Sequence, residues 1–401
     1  MDLPIFGDKT QEGYALPDFY FMSLKEKEEI HTATKDVWDI FCKFNKLLRQ
    51  ADDELLLQLG FPKVLLPYLR MKSIEFESVI ARIDWIYHEG SWKLIEINSD
   101  TPFLIKECFW ANNVAATQTG MKSCNEGMDS HLSKVITEAI YEGLEELDLQ
   151  DGNVIFSTND EYIESWYTAS YLRELSMYPS RLVPLQKLTI TPGEALYDEN
   201  GEKVDVLIRH TYPIEFLMDD IDKDSHEKIG LSLLELVQQR KLVIINPMSA
   251  FLMQNKANLV VIWGLMEQGE YFDEKEQEII KKHFLPTYLE ADKFEETNQS
   301  YVKKPCFGRE GNTVTIYDDS QETSLNHDYN DFQYLYQKYA PMPKREFNTG
   351  NEFEEFSMLF GSFVVGDSPS AIGLRAGGKI TQNNDHFVPI YIAPSSKSEK
   401  P

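Results

Sequence analysis

Apolar positions recur along the chain in two rhythms. Across 25–59, Ile30, Val37, Ile40, Phe41, Phe44, Leu47 and Leu48 fall three and four residues apart. That spacing gathers them on one side of a helix, and Gly60-Phe61-Pro62 ends the run. Across 81–88 and again across 92–98, apolar and polar residues alternate, as in a half-buried strand. Glu89-Gly90-Ser91 separates the two segments, and a three-residue loop containing Gly is a common hairpin connection. A register centred on Gly90 pairs Asp84 with Glu96 and Arg82 with Asn98 on one face. The other face pairs Ile83 with Ile97 and Trp85 with Ile95. One side of the predicted hairpin is apolar, and the other carries two carboxylates, an amide and a guanidinium.

The same patterns give the remaining elements. Helices are predicted over 104–115 and 129–147. Strand 154–157, helix 161–176, strands 181–185 and 204–210, helix 228–240 and strand 242–246 follow, an order that reads as an α/β lobe. A helix runs from Asn255-Lys256 through Met266, and a polar helix covers 274–289. Strands 301–305 and 314–317 flank the loop 306–312, and strands 362–365, 371–375 and 387–392 close the chain. The expected class is mixed α/β (α+β mixed).

At 401 residues the chain can hold two or three domains. The divisions expected are 1–150 with the hairpin, an inserted α/β lobe over 151–250, a third region over 251–393 and a tail over 394–401. No apolar run approaches the roughly 20 residues needed to cross a bilayer. The opening stretch is acidic and broken by Pro and Gly, unlike a signal peptide, so the expected location is the cytoplasm. Cys42, Cys108, Cys124 and Cys306 lie far apart without CxxC spacing and read as reduced thiols. The formal net charge is −27. Phosphate binding by Lys and Arg drives sequence-independent nucleic-acid association, so nucleic acid is not an expected partner. A cationic small molecule would be drawn to such a chain, although the charge serves solubility equally well.

The polar face of the hairpin has its own chemistry. Carboxylates placed opposite each other repel. Mg²⁺ would relieve that repulsion, because it takes oxygen ligands and keeps places for water and phosphate. A solvated surface hairpin with scattered charges has the same pattern. Further on, an inward Lys beside a loop bounded by Gly308 and Gly311 suits a phosphate cover. It is not a P-loop, because the GxxxxGK[ST] spacing is absent.

Taken together, the pieces resemble the glutathionylspermidine synthase family. The motifs stand as Arg82-Ile83-Asp84, Glu96-Ile97-Asn98-Ser99-Asp100-Thr101, Asn255-Lys256, Val302-Lys303-Lys304-Pro305, Gly308-Arg309-Glu310-Gly311, Gly373-Leu374-Arg375, Ile380-Thr381 and Phe387-Val388-Pro389. They occur in order over nearly the whole chain. The resemblance implies an ATP-grasp fold preceded by a pre-ATP-grasp-like α/β lobe, with 251–393 as the nucleotide-binding region. It implies an ATP- and Mg²⁺-dependent ligase joining a carboxylate, such as a glutathione-like peptide, to an amine, such as a polyamine, through an acyl phosphate. By the same resemblance, Asp84, Glu96 and Asn98 would hold Mg²⁺, and Arg82 and Arg375 would be catalytic. Lys256, Lys304, Gly308, Arg309, Glu310, Gly311 and Gln337 would bind ATP. Thr101, Glu164, Thr211 and Asp385 would contact the other substrates. Phe103, Ala376 and Ile390 depart from the family pattern near the expected peptide site. Two alternatives stay open: a peptide or amino-acid ligase on the same core, and a non-catalytic nucleotide- or polyamine-binding protein. The oligomeric state is open too, a homodimer among the options.

Overall fold

In a computed structural model of the protein, described over residues 3–6, 13–210, 213–319, 322–323, 328–382 and 385–394, the two alternating segments pair as antiparallel strands Ile80–His88 and Ser91–Asn98. The turn between them is shorter than expected. His88 pairs with Ser91, which leaves only Glu89 and Gly90, both at positive φ (48° and 76°). A two-residue type I′ hairpin turn requires that backbone. Lower rungs therefore pair Tyr87 with Trp92 and Trp85 with Leu94, not with Ile95. A bulge then leaves Ile95 unpaired, and Asp84 meets Glu96 and Arg82 meets Asn98. The shorter turn and the extra residue cancel, so the upper rungs keep the register of the sequence reading. Bulges re-aim side chains and often adjoin functional sites.

This hairpin forms one edge region of the central antiparallel sheet. The order runs His386–Val388, Ser368–Gly377, Phe353–Val365, Ile80–His88, Ser91–Asn98, with Lys344–Asn348 also paired to Phe353–Val365. One face packs on the long helix Leu24–Leu48. There Ile83, Trp85, Ile97, Phe360, Val364, Ile372 and Leu374 join Val37, Trp38, Phe41 and Phe44 in one core. Ser23 caps that helix reciprocally with Glu26, a pairing that satisfies two otherwise orphan amides. The helix stops at Leu48, not at 59. Asp52 caps a separate short helix, Asp53–Gln58, by accepting from the Leu55 amide. On the opposite face, Phe363, Val365 and Ala371 pack with Phe109 and Ile136, while the middle of that face stays polar.

A parallel sheet, ordered Val243–Ile245, Val206–Arg209, Val154–Thr158, Arg181–Pro184, lies beside it. Asn246, just past the strand Val243–Ile245, donates to the carbonyls of Ile80, Ser99 and Asp100 (3.0, 3.0 and 2.6 Å) and accepts from the Val79 amide (2.8 Å). One buried amide thus ties this lobe to both ends of the hairpin. The third main sheet is antiparallel, ordered Thr287–Tyr288, Tyr334–Lys338, Tyr301–Pro305, Thr315–Tyr317, Glu322–Thr323. It faces the hairpin end of the central sheet across a cleft. The predicted polar helix is shorter than expected, Glu274–His283, because Leu285 and Pro286 leave it to feed the strand Thr287–Tyr288. All four cysteines are free. Among the described residues, no helix is long and apolar enough to cross a membrane.

Candidate active site

The site begins on the polar face of the central sheet. Arg82 donates from Nε and Nη2 to the two oxygens of Asp84 (2.6 and 2.9 Å) and from Nη1 to the Phe103 carbonyl (2.8 Å). Arg375 Nη2 lies 3.5 Å from the same Asp84 carboxylate. Arg82 and Asp84 are both buried. Burial works against the Arg82 charge, but Asp84 beside it holds the guanidinium above its ordinary value. The sheet makes room for this arginine with a glycine. Gly361 pairs with Asp84 across the strands, and a Cβ there would stand 2.7 Å from Arg82 Cδ.

Glu96, opposite Asp84, faces ammonium groups instead. Lys256 Nζ stands 3.3 Å from its carboxylate, and Asn98 Nδ2 lies 3.4 Å from Oε1. Burial alone would raise the Glu96 carboxyl, but Lys256, Lys304 and Arg82 hold it down to about 2. Lys304 is itself buried and donates to the Ile95 carbonyl (2.9 Å) and to Gln337 Oε1 (2.8 Å). The acceptor at Ile95 belongs to the bulged residue. Burial lowers the Lys304 ammonium to about 8, with Glu96 opposing and Lys256 reinforcing the shift.

These lysines form the deep end of a cleft of about 790 Å³ between the central and third sheets. Ile95, Leu285, Val302, Ile316, Met342 and Leu359 give it apolar walls, as the walls of small-molecule sites usually are. The loop 308–312 lies across it. Lys256 Nζ donates to the Gly308 carbonyl (2.6 Å), and Arg309 donates to the Thr101 carbonyl and hydroxyl (3.2 and 2.8 Å). Gly311 has φ of 65°, and a Cβ on it would meet the Thr381 carbonyl at 2.2 Å. Only glycine lets the loop tip seat there.

A second cavity, of about 580 Å³, adjoins the first, and Glu96 and Arg309 line both. Its cationic side chains are Arg82, Arg309 and Arg375, and its acids are Glu96, Glu164, Glu310 and Asp385. Burial, with the like charges of Glu107 and Glu310, pushes Glu164 up to about 8 against Arg375 and Arg82. Burial likewise raises Asp385. Asp385 is held against Gly377, where a Cβ would fall 2.0 Å from its Oδ1.

The residues singled out in the sequence therefore collect at two joined cavities, except Asp84, which is buried behind them on Arg82 and lines neither. Glu310 lines the second cavity and not the first, unlike the other loop residues assigned to nucleotide. Thr211 lies outside the described residues. Asp100 is buried and receives a hydrogen bond from Arg209, so it anchors the parallel lobe. Sequence reasoning overlooked Tyr14, which lines the second cavity and donates to Glu107 at 2.6 Å. Tyr14 sits in a Pro- and Gly-broken stretch without periodicity, and Glu107 reads there as one more acid on a helix.

No group of three or more His, Cys, Asp or Glu among the described residues is arranged to hold a metal. Mg²⁺, however, needs only one or two carboxylates when phosphates supply other places. Glu96 and Asn98 bring side-chain oxygens to the cavity for such a set, with Asp84 behind them, its oxygens held by Arg82. The Glu96 side chain is the reachable member, 18% exposed against 1% for Asp84.

A solved structure, the apo form of a glutathione synthetase-like effector (GSS30) from Globodera pallida, superposes with a TM-score of 0.58 at 13% identity, covering 94% of this chain and 90% of that one. The fold and the cleft between two antiparallel sheets define the class: a mixed α/β protein of ATP-grasp type. A putative acid–amine ligase of Haemophilus influenzae is 24% identical over 332 residues, 78% of this chain and 74% of that protein. Trypanothione synthetase of Crithidia fasciculata is 24% identical over 374 residues, 85% of this chain. The chain spans about half that enzyme's length (51%). The family profile "Glutathionylspermidine synthase preATP-grasp" matches residues 6–393, and the chain belongs to this family.

Proposed function

We propose that the protein is an ATP-dependent carboxylate–amine ligase that forms an amide through an acyl phosphate. The observation that carries this reading is the pair of joined cavities: one has apolar walls and two buried lysines, the other arginines opposite acids, and Glu96 and Arg309 lie in both. In this reading the adenine sits between Ile95, Leu285, Met342 and Leu359. Lys256 and Lys304 hold the phosphates, and the loop 308–312 covers them. Mg²⁺ would be held by Glu96 with Asp84 and Asn98, and would neutralise charge on the phosphate oxygens.

Arg82 and Arg375 would receive the substrate carboxylate. A guanidinium presents two parallel donors to such a group. Asp84 keeps both arginines in place, so the carboxylate meets donors already oriented and little reorganisation is left for the transition state. The carboxylate oxygen attacks the γ-phosphorus of ATP and ADP leaves. The amine then attacks the acyl carbon, and inorganic phosphate leaves. Positioning and charge balance are what phosphoryl transfer needs most from a protein.

The acids of the second cavity favour a cationic amine, and the relatives, a putative acid–amine ligase and a trypanothione synthetase, support the same chemistry. A glutathione-like peptide and a polyamine are the proposed pair. A screen of peptides against amines, read by ADP formation and product mass, tests this. A product equal to the two reactants minus water supports the ligase. ATP binding without turnover over the whole screen would leave the non-catalytic reading.

A further inference from the structure

An aliphatic amine reaches the site as an ammonium, whose nitrogen has no lone pair. Some group in the second cavity must take a proton before the nitrogen can attack. Arg82, Arg309 and Arg375 cannot do so. Three acids besides Glu96 line the cavity. Asp385 is buried, is pressed against Gly377, and has an oxygen, Oδ2, without a hydrogen-bond partner among the described residues. It is placed to hold a cation. Glu310 belongs to the loop over the nucleotide cleft. Glu164 stands in the first turn of the helix Ile163–Leu175 and lines the cavity together with Tyr14. Behind Tyr14 lies Glu107, wholly buried, with one oxygen bonded to the Tyr14 hydroxyl and the other, Oε2, unpartnered among the described residues. Glu107 opens a π-helical turn, Glu107–Ala111, an irregularity frequent at functional sites.

From this geometry we infer that Glu164 is the general base of the amide-forming step, with Asp385 holding the substrate ammonium while the proton leaves. The inference rests on the ligase reading. The groups facing Glu164 are Glu107 and Glu310, which favour its neutral form, and Arg375 and Arg82, which favour its ionised form, with Tyr14 and Asp385 also lining the cavity. Burial and the two glutamates prevail, and the resulting value of about 8 brings the carboxylate closer to an aliphatic ammonium than an ordinary Glu is. That match is what an efficient base requires.

The step balances. The Glu164 carboxylate takes one proton from the ammonium and becomes a carboxylic acid. The freed nitrogen lone pair forms the C–N bond at the acyl carbon. The C–O bond to phosphate then breaks, phosphate leaves with that electron pair, and it takes the second nitrogen proton. Glu164 later returns its proton to water.

Hydroxylamine provides the test, because it is uncharged at neutral pH and attacks an acyl phosphate without a base. The enzyme is given ATP, the carboxylate found in the screen, and either the amine or hydroxylamine. In Glu164→Gln, amide formation should fall by about 10²-fold or more, while hydroxamate formation falls no more than a few-fold. The amide rate of the variant should recover as pH rises toward the ammonium's own pKa. Asp385→Asn should raise KM for the amine more than it lowers kcat. Equal loss of amide and hydroxamate in Glu164→Gln, or loss of neither, would overturn the inference. If the unaltered protein makes neither product, the ligase reading fails and the inference falls with it.

Discussion

Gly361 contributes no chemistry, yet its replacement should be among the most damaging changes to the site. The Cβ of Gly361→Ala would stand 2.7 Å from Arg82 Cδ, 3.2 Å from Cγ and 3.3 Å from Nε. Carbon atoms in contact settle near 3.5–4.0 Å, so the arginine must move by about 1 Å. It has no easy direction, because three hydrogen bonds of 2.6, 2.8 and 2.9 Å fix it to Asp84 and to Phe103. Ala in a strand gains roughly 0.5–1 kcal/mol over Gly from the unfolded chain. Overpacking costs about 1–3 kcal/mol, and weakened charged hydrogen bonds add to that. The loss wins, and the melting temperature should fall by about 1–4 °C without collapse of the fold. Activity should suffer more, since a displacement of this size costs about 10²-fold in a positioned site. Turnover and thermal melting on the same preparation give both numbers. Full turnover in Gly361→Ala would show that Arg82 need not hold its position, and would refute the reasoning.

Other outcomes follow from the same geometry. Lys304→Met should weaken ATP binding by tenfold or more in calorimetry, yet lower apoprotein stability by no more than about 3 kcal/mol. The folded state lowers the Lys304 ammonium from its ordinary 10.5 to about 8. Burying the charge therefore costs about 3 kcal/mol below pH 8, and that cost disappears as pH rises through 10.5. Met removes it but strands the Ile95 carbonyl and Gln337 Oε1, at roughly 1–3 kcal/mol each. Wild-type ATP affinity in the variant would remove the assignment. Gly377→Ala pushes on the Asp385 carboxylate and should raise KM for the amine severalfold while ATP binding stays as it was, and a KM equal to wild type would exclude that contact. KM for a polyamine should rise with ionic strength, because salt screens the attraction of a chain of net charge −27 for a cation. A flat KM would favour a neutral amine or an amino acid.

The polar face of the hairpin was legible because strand alternation is strict. Arg82, Asp84, Glu96 and Asn98 share a face whatever the turn does, provided the register holds. It holds here through two compensating departures, since neither the two-residue turn at Glu89-Gly90 nor the bulge at Ile95 has a marker that alternation reveals. The strand Phe353–Val365 was seen only over 362–365, because its first residues are exposed and charged and its buried part begins later. The break at 49–52 was masked by Leu55 and Leu56, which continue the helical spacing past the Asp52 cap. Lys256 and Lys304 were found through motifs, but their convergence on Glu96 is a product of the third sheet folding over the first. Tyr14 and Glu107 meet across 93 residues, and no local pattern encodes such a contact. Gly361 and Gly377 look ordinary in the sequence, and their role emerges only when Arg82 and Asp385 are seen filling the space.

The most direct test follows oxygen. The substrate carboxylate is labelled with ¹⁸O, the reaction is run with ATP and the amine, and the phosphate released is examined by mass spectrometry. If the carboxylate attacks the γ-phosphorus and the amine later breaks the acyl C–O bond, one labelled oxygen appears in each inorganic phosphate and none in ADP. Label in AMP would mean activation through the α-phosphorus, and amide formed without label in any phosphate would contradict the acyl phosphate altogether.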